Sequence, residues 1–350
     1  MSNILSLAKS YEKYFKIGAA VAYGNIDSYE DLLRGHFSSI TPENEMKYSS
    51  TEPEEGRFTF DQCDKIFDMA KKLGIKVRAH APVWHNQTGE WMYKDGDKDA
   101  SPELIYQRIE AHTKALCDRY NDNVYAWDVV NEAVTDFVAE GAQGDAAVYR
   151  DSEYFKLCGA DFIAAAFRAM DKYSPNVQLF YNDYNECLPA KRERIVKLIK
   201  RLKDQGCRID GMGMQQHYFS APDYDELKRS IEVYASLGLR LHITELDVSI
   251  MAGFGHNVFP PSEEDIKRLK ASSPEDIARI EDVYLKLFEI YRSYSDVIDC
   301  VTTWGVADDY TWMDSFVPHD SAPVVKQYPL LFDVNHAPKA CVEKLIAAAE

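Results

Sequence analysis

No stretch of this chain approaches the ~20 consecutive apolar residues of a membrane-spanning helix. No CxxC pair and no Cys/His cluster of zinc type occurs among its seven cysteines, Cys63, Cys117, Cys158, Cys187, Cys207, Cys300 and Cys341. That argues against a structural zinc site and dithiol redox chemistry. The cysteine count is odd, the spacing is scattered, and most of the thiols fall in apolar segments. Buried free thiols suit a reducing compartment. Positive charge is scarce: 40 Lys and Arg stand against 57 Asp and Glu, a net charge of −17. Nucleic acid and anionic membranes select basic surfaces, so neither is expected as a partner. A neutral substrate is untouched by that argument. Met1–Lys9 has no basic n-region and no sustained apolar h-region, so it does not read as a signal peptide, and a cytoplasmic location is expected. No linker, low-complexity tract or repeat divides the chain. One catalytic domain over 1–350 is expected; the sequence leaves the oligomeric state unknown.

What is present is a regular alternation of strand-like and helix-like segments. Strands are predicted at Ile17–Ala22, His36–Pro42, Val77–Val83, Tyr125–Val130, Val177–Asn182, Gly211–His217, Leu239–Thr244 and Cys300–Trp304. They are short and mostly apolar at both parities, as expected for parallel strands covered on both faces. Helices are predicted at Ser28–Leu33, Asp61–Leu73, Pro102–Tyr120, Glu153–Lys172, Lys191–Gln205, Tyr224–Ser236, Pro274–Tyr294 and Pro338–Ala349. Ser101-Pro102 reads as an N-cap with Pro at the first helical position, and Gly74 and Gly238 read as C-terminal stops. Eight βα units predict an α/β fold, a single (β/α)₈ TIM barrel with extended βα loops at its C-terminal face. The longest irregular stretch, Ile250–Ser273, should overhang that face.

Reactive groups of such barrels lie at the carboxyl ends of the strands. Two strand ends carry a glutamate: Trp127-Asp128-Val129-Val130-Asn131-Glu132 and His242-Ile243-Thr244-Glu245-Leu246-Asp247. Two carboxylates at one barrel mouth are what cleavage of a glycosidic bond needs. One protonates the leaving oxygen; the other attacks or supports the sugar carbon. The remaining strand ends supply amides, carboxylates, a lysine and tryptophans, groups that bind sugar hydroxyls and stack on pyranose faces. His242 stands three residues from Glu245, at opposite strand parity, and is expected to face the helices. Trp127 and Glu45 are expected to be structural.

The motifs TPENEMK (41–47), VWHNQ (83–87), WDVVNEA (127–133), NDYN (182–185), GMGMQQH (211–217), ITELDV (243–248) and WGVADDYTW (304–312) occur in this order. With them the chain resembles glycoside hydrolase family 10 endo-β-1,4-xylanases of intracellular type, from about Lys16 to the PLLFD segment (329–333). The resemblance implies a retaining endo-1,4-β-xylanase that hydrolyses xylan and xylo-oligosaccharides through a covalent glycosyl-enzyme, with no cofactor and no metal. It implies Glu132 as acid/base and Glu245 as nucleophile, with Asn131 on the sugar 2-hydroxyl and His217 against Glu245. His80 and Gln215 would shape the same subsite. Glu43, Asn44 and Lys47 would hold the next sugar on the glycone side. Trp84, Gln87, Trp304 and Trp312 would wall the cleft, Tyr184 and Asn185 would reach the leaving-group side, and Asp247 would stand behind the nucleophile. The chain departs from the family's RGHTLVWH at Arg78–His85, and Met313 stands where many members have Arg after the second cleft tryptophan.

Two other functions fit the same barrel. A retaining β-glucosidase or cellulase would have to accommodate the hydroxymethyl group on C5 of glucose. Lys47, Gln87 and the Trp304/Trp312 wall would crowd it. A non-catalytic sugar-binding barrel would not need an acid paired with a nucleophile.

Overall fold

The computed structural model describes residues 6–254, 261–316 and 326–350. Eight parallel strands form the barrel: β1 (Lys16–Val21), β2 (Ser39–Pro42), β3 (Lys76–Trp84), β4 (Val124–Asn131), β5 (Gln178–Asp183), β6 (Gly211–Met214), β7 (Arg240–Val248) and β8 (Ile298–Thr303). Neighbours in the chain pair in order, and β8 closes on β1 through Lys16↔Cys300 to Ala19↔Thr303. The expected TIM barrel is the fold observed.

The strands form where apolar residues alternate with small or polar ones that fit the barrel interior. Helices wrap the outside and bury one face each. Ile66, Phe67 and Ala70 of the helix Asp61–Leu73 are buried, as are Leu227, Ile231 and Tyr234 of the helix Tyr224–Ser236. The predicted stops hold. The side chain of Ser101 caps Pro102–Tyr120 by accepting from Leu104 N, and Gly74 adopts φ +68 to end the preceding helix.

Three predicted elements differ. His36 closes the helix Glu30–His36 instead of opening β2. Glu153–Lys172 is two helices, Glu153–Cys158 and Asp161–Tyr173, because Gly159 takes φ +58 and breaks the ladder. Within Ile250–Ser273, a 3₁₀ turn (Ile250–Phe254) and a helix (Glu263–Lys270) carry most of what was read as irregular, while residues 255–260 lie outside the described set. Met1–Ile4 and Leu5 of the chain start also lie outside it.

The barrel interior is polar. Arg78 forms a bidentate pair with Asp128, and Asp128 Oδ2 also meets His80 Nδ1 at 3.0 Å. His242 Nδ1 accepts from Arg78 Nε at 3.2 Å, and its ring stacks on Phe180. The expectation that His242 faces the helices is therefore corrected. A register irregularity between Ile243 and Leu246 breaks strand parity, so both His242 and Glu245 point inward. Trp127 does face outward, fully buried, and its Nε1 donates to Ser174 Oγ at 3.1 Å. Gly213 is required by close approach: a Cβ there would collide with Asn182 Oδ1 and crowd Arg78.

Candidate active site

A cleft of about 570 Å³ opens at the carboxyl ends of the strands. Its lining brings together all fifteen residues expected there: Glu43, Asn44, Lys47, His80, Trp84, Gln87, Asn131, Glu132, Tyr184, Asn185, Gln215, His217, Glu245, Trp304 and Trp312. They come from strand ends and the loops that follow them, up to 269 residues apart in sequence (312 − 43), so only barrel closure can assemble them. Asp247 lies immediately behind, under His217 and Trp312.

Glu245 is buried at the end of β7. Asn182 Nδ2 donates to its Oε1 at 2.6 Å, and His217 Nε2 lies 3.2 Å from its Oε2. Burial alone would raise its pKa. The His217 hydrogen bond, the positive charges of His80 and His217, and the Asn182 donor outweigh burial and hold it at about 2. His217 is in turn set by Asp247, whose Oδ1 lies 2.8 Å from Nδ1. Burial would lower the imidazole's pKa, but Asp247 and Glu245 push it up to about 10. Trp312 Nε1 donates to the other Asp247 oxygen at 2.7 Å. Glu245 is therefore an ionised carboxylate over the whole neutral range, pressed against a cation.

Glu132 stands across the cleft at the end of β4. Trp84 Nε1 donates to its Oε2 at 2.9 Å; Asn131 Nδ2 and Gln215 Nε2 both donate to its Oε1 at 3.0 Å. Its backbone is left-handed, φ +56. Gln87 (φ +50) and Asn185 (φ +54), which also line the cleft, share that conformation. A non-glycine residue held there costs roughly 1–3 kcal/mol, and such residues gather where side chains must be aimed.

The two ends of the cleft differ. On one side Lys47 Nζ donates to Asn44 Oδ1 at 3.1 Å and lies 4.3 Å over the Trp84 ring. Burial pushes the pKa of Glu43 up to about 7 against the opposing charge of Lys47. Glu45 is structural, as expected: its carboxylate accepts from Tyr23 N and Asn44 N and fixes the loop. On the other side Tyr184 Oη donates to Asp136 at 2.5 Å, and Asn185 Nδ2 reaches the same carboxylate at 3.3 Å. Trp304 packs edge-on to His80, and Trp312 edge-on to His217. Met313 is fully buried beside Trp312, so its side chain does not face the cleft.

Sequence reasoning missed four contributors. Asn86 and Phe219 line the cleft. Asn86 lay within VWHNQ and could have been marked; nothing local distinguished Phe219. Asn182, inside NDYN, bridges the two halves by donating to both Asn131 Oδ1 and Glu245 Oε1. Asp128, inside WDVVNEA, is the partner that orients His80. Among the described residues no cluster of His, Cys, Asp and Glu is arranged to hold a metal ion, and no helix is long and apolar enough to cross a membrane.

Comparison with known proteins bears on the family and the fold. Residues 6–348 match the Glycosyl hydrolase family 10 profile. The chain is 43% identical to endo-1,4-beta-xylanase A of Caldicellulosiruptor saccharolyticus over 98% of this chain and 95% of that protein. It is 40% identical to an endo-1,4-beta-xylanase of Geobacillus stearothermophilus over 99% of both. The crystal structure of a xylanase from Paenibacillus barcinonensis, bound to a conduramine derivative, superposes with a TM-score of 0.86 at 38% identity, covering 99% of each chain. A glutamate-to-alanine mutant in complex with xylotriose superposes with a TM-score of 0.86 at 41% identity, covering 97% of this chain and 99% of that one. On fold, motif order and full-length similarity, this chain belongs to glycosyl hydrolase family 10.

Proposed function

We propose that the protein is a retaining endo-1,4-β-xylanase acting on xylan and xylo-oligosaccharides. The observation that carries the reading is the unlike setting of two glutamates in one cleft. Glu245 is held ionised by a charged His217, while Glu132 sits opposite within a set of neutral donors, Trp84, Asn131 and Gln215. A Glu245 carboxylate oxygen attacks the anomeric carbon as the bond to the leaving sugar breaks, and Glu132 gives its proton to the departing oxygen. A water then loses its proton to Glu132 and attacks the same carbon. The ester to Glu245 breaks and both carboxyls return to their starting state. Asn131 binds the 2-hydroxyl of the sugar being cleaved, and Glu43, Asn44 and Lys47 hold the next sugar on the glycone side.

Xylose is favoured over glucose because Lys47, Gln87, Trp304 and Trp312 all line the cleft, and side chains of that bulk would crowd a C5 hydroxymethyl group. Three of the proteins named above are xylanases and the fourth is bound to xylotriose, which supports the same choice. Reducing ends should appear from xylan and not from cellulose; equal release from both would favour the cellulase reading. Binding of xylan without any release would favour a non-catalytic barrel.

The protein works, in the same proposal, in a reducing compartment on soluble xylo-oligosaccharides. All seven cysteines are free thiols, six of them buried, and an oxidising compartment would favour pairing.

A further inference from the structure

The turn that carries Glu132 is held in an unfavourable backbone conformation, and every backbone N–H from Glu132 to Thr135 has a partner. Glu132 N donates to Asn182 O at 2.9 Å, and Glu132 O accepts from Arg150 Nε at 2.8 Å. Ala133 O accepts from Arg150 N at 2.8 Å, and Thr135 N donates to Val148 O at 3.0 Å. The N–H groups of Ala133 and Val134 go to one side-chain atom. Tyr181 Oη accepts from both, at 3.0 and 3.1 Å.

Tyr181 is fully buried on β5 and does not line the cleft. Its hydroxyl proton is directed away from the turn, to Asp183 Oδ2. Lys191 Nζ lies 3.0 Å from the other Asp183 oxygen and 2.8 Å from Asp136. The phenol is thereby oriented with its lone pairs on the two N–H groups. Burial keeps it protonated by raising its pKa well above the usual range.

We propose that Tyr181 is a positioning residue for Glu132: its phenol oxygen, clamping the Ala133 and Val134 N–H groups, pins the left-handed turn that aims the acid/base carboxyl across the cleft. This rests on the reading of Glu132 as the acid/base. Without the clamp, two buried donors lose their acceptor, and the turn can relax toward an ordinary backbone conformation. The carboxyl would then miss the leaving oxygen, while the cleft walls and Glu245, held by other elements, stay in place.

The test is Tyr181→Phe, which keeps the ring and removes the acceptor, assayed on two substrates. Xylotetraose has a sugar leaving group that must be protonated. A 2,4-dinitrophenyl β-xylobioside has one that departs unaided. Because misplacement by ~1 Å can cost on the order of 10²-fold, kcat on xylotetraose should fall about 10- to 100-fold with KM nearly unchanged. The pre-steady-state burst of dinitrophenol should keep its wild-type rate. Asp183→Asn, which leaves the phenol in place but weakens its orientation, should shift the ratio of the two rates in the same direction by less. If Tyr181→Phe does not fold, Asp183→Asn decides by the same ratio. A folded variant that loses both rates in equal proportion, or neither, overturns the proposal. Failure of the xylanase reading looks different: wild-type enzyme would then not turn over xylotetraose.

Discussion

Replacing Asp247 by Asn should move the acid limb of the pH–rate profile upward. Asp247 does not itself line the cleft; it acts on His217, and His217 acts on Glu245. Removing its negative charge lowers the pKa of His217 from about 10 and weakens the cation beside Glu245. Glu245 is held at about 2 against an ordinary 4.5. The full return would be 4.5 − 2, about 2.5 pH units, equivalent to about 3 kcal/mol. His217 remains, and His80 and Asn182 still favour the ionised form, so a rise of on the order of 1 pH unit, short of that full return, is expected. The assay is kcat/KM on xylotetraose against pH, whose acid limb reports the free enzyme's base. Stability should follow. The depressed pKa of Glu245 stabilises the fold fully above 4.5, and that contribution is lost as pH falls toward 2. The raised pKa of His217 stabilises it fully below 6.5, lost as pH rises through about 10. The His217–Glu245 contact contributes to both shifts and counts once. The variant should therefore lose most stability between pH 4.5 and 6.5. An acid limb that stays at its wild-type position, in a folded variant, would refute the chain from Asp247 through His217 to Glu245.

Glu132→Ala should abolish turnover of xylan while an activated aryl xylobioside still gives a burst followed by slow deglycosylation; equal loss on both substrates would remove Glu132 from the acid/base role. Glu245→Ala should be inactive on natural substrate, with azide restoring turnover of the aryl substrate and giving the inverted product. Proton NMR of fresh wild-type hydrolysate should show β-anomers first; early α-anomer would mean inversion. Cell fractionation should place activity in the cytoplasm, with higher kcat/KM on xylo-oligosaccharides than on insoluble xylan; activity mainly in the medium would overturn that location.

The strand ends were legible because barrel architecture makes them the reactive rim, and the fifteen cleft residues sit on them or in the loops that follow them. What local pattern missed depends on contacts between strands. His242 faces inward because an irregularity in β7 breaks the alternation that the prediction assumed. Nothing local in the sequence marks Arg78 and Asp128 as partners, and only the closed barrel reveals them as a buried pair that orients His80. Such a pair repays little net stability against its desolvation, so its meaning lies in orientation. The left-handed turn at Glu132 carries no sequence signal, since glutamate has no preference for it. Gly159, by contrast, was visible and was read through as helix interior.

In the proposed mechanism Glu245 attacks the sugar and carries it as an ester. A 2-deoxy-2-fluoro-β-xylobioside with an activated leaving group slows breakdown of that ester more than its formation, so it should accumulate. Intact mass should rise by one fluoroxylobiosyl group, and peptide mapping should place it on Glu245. A label on any other side chain, or no label from an enzyme that cleaves xylan, would contradict the claim.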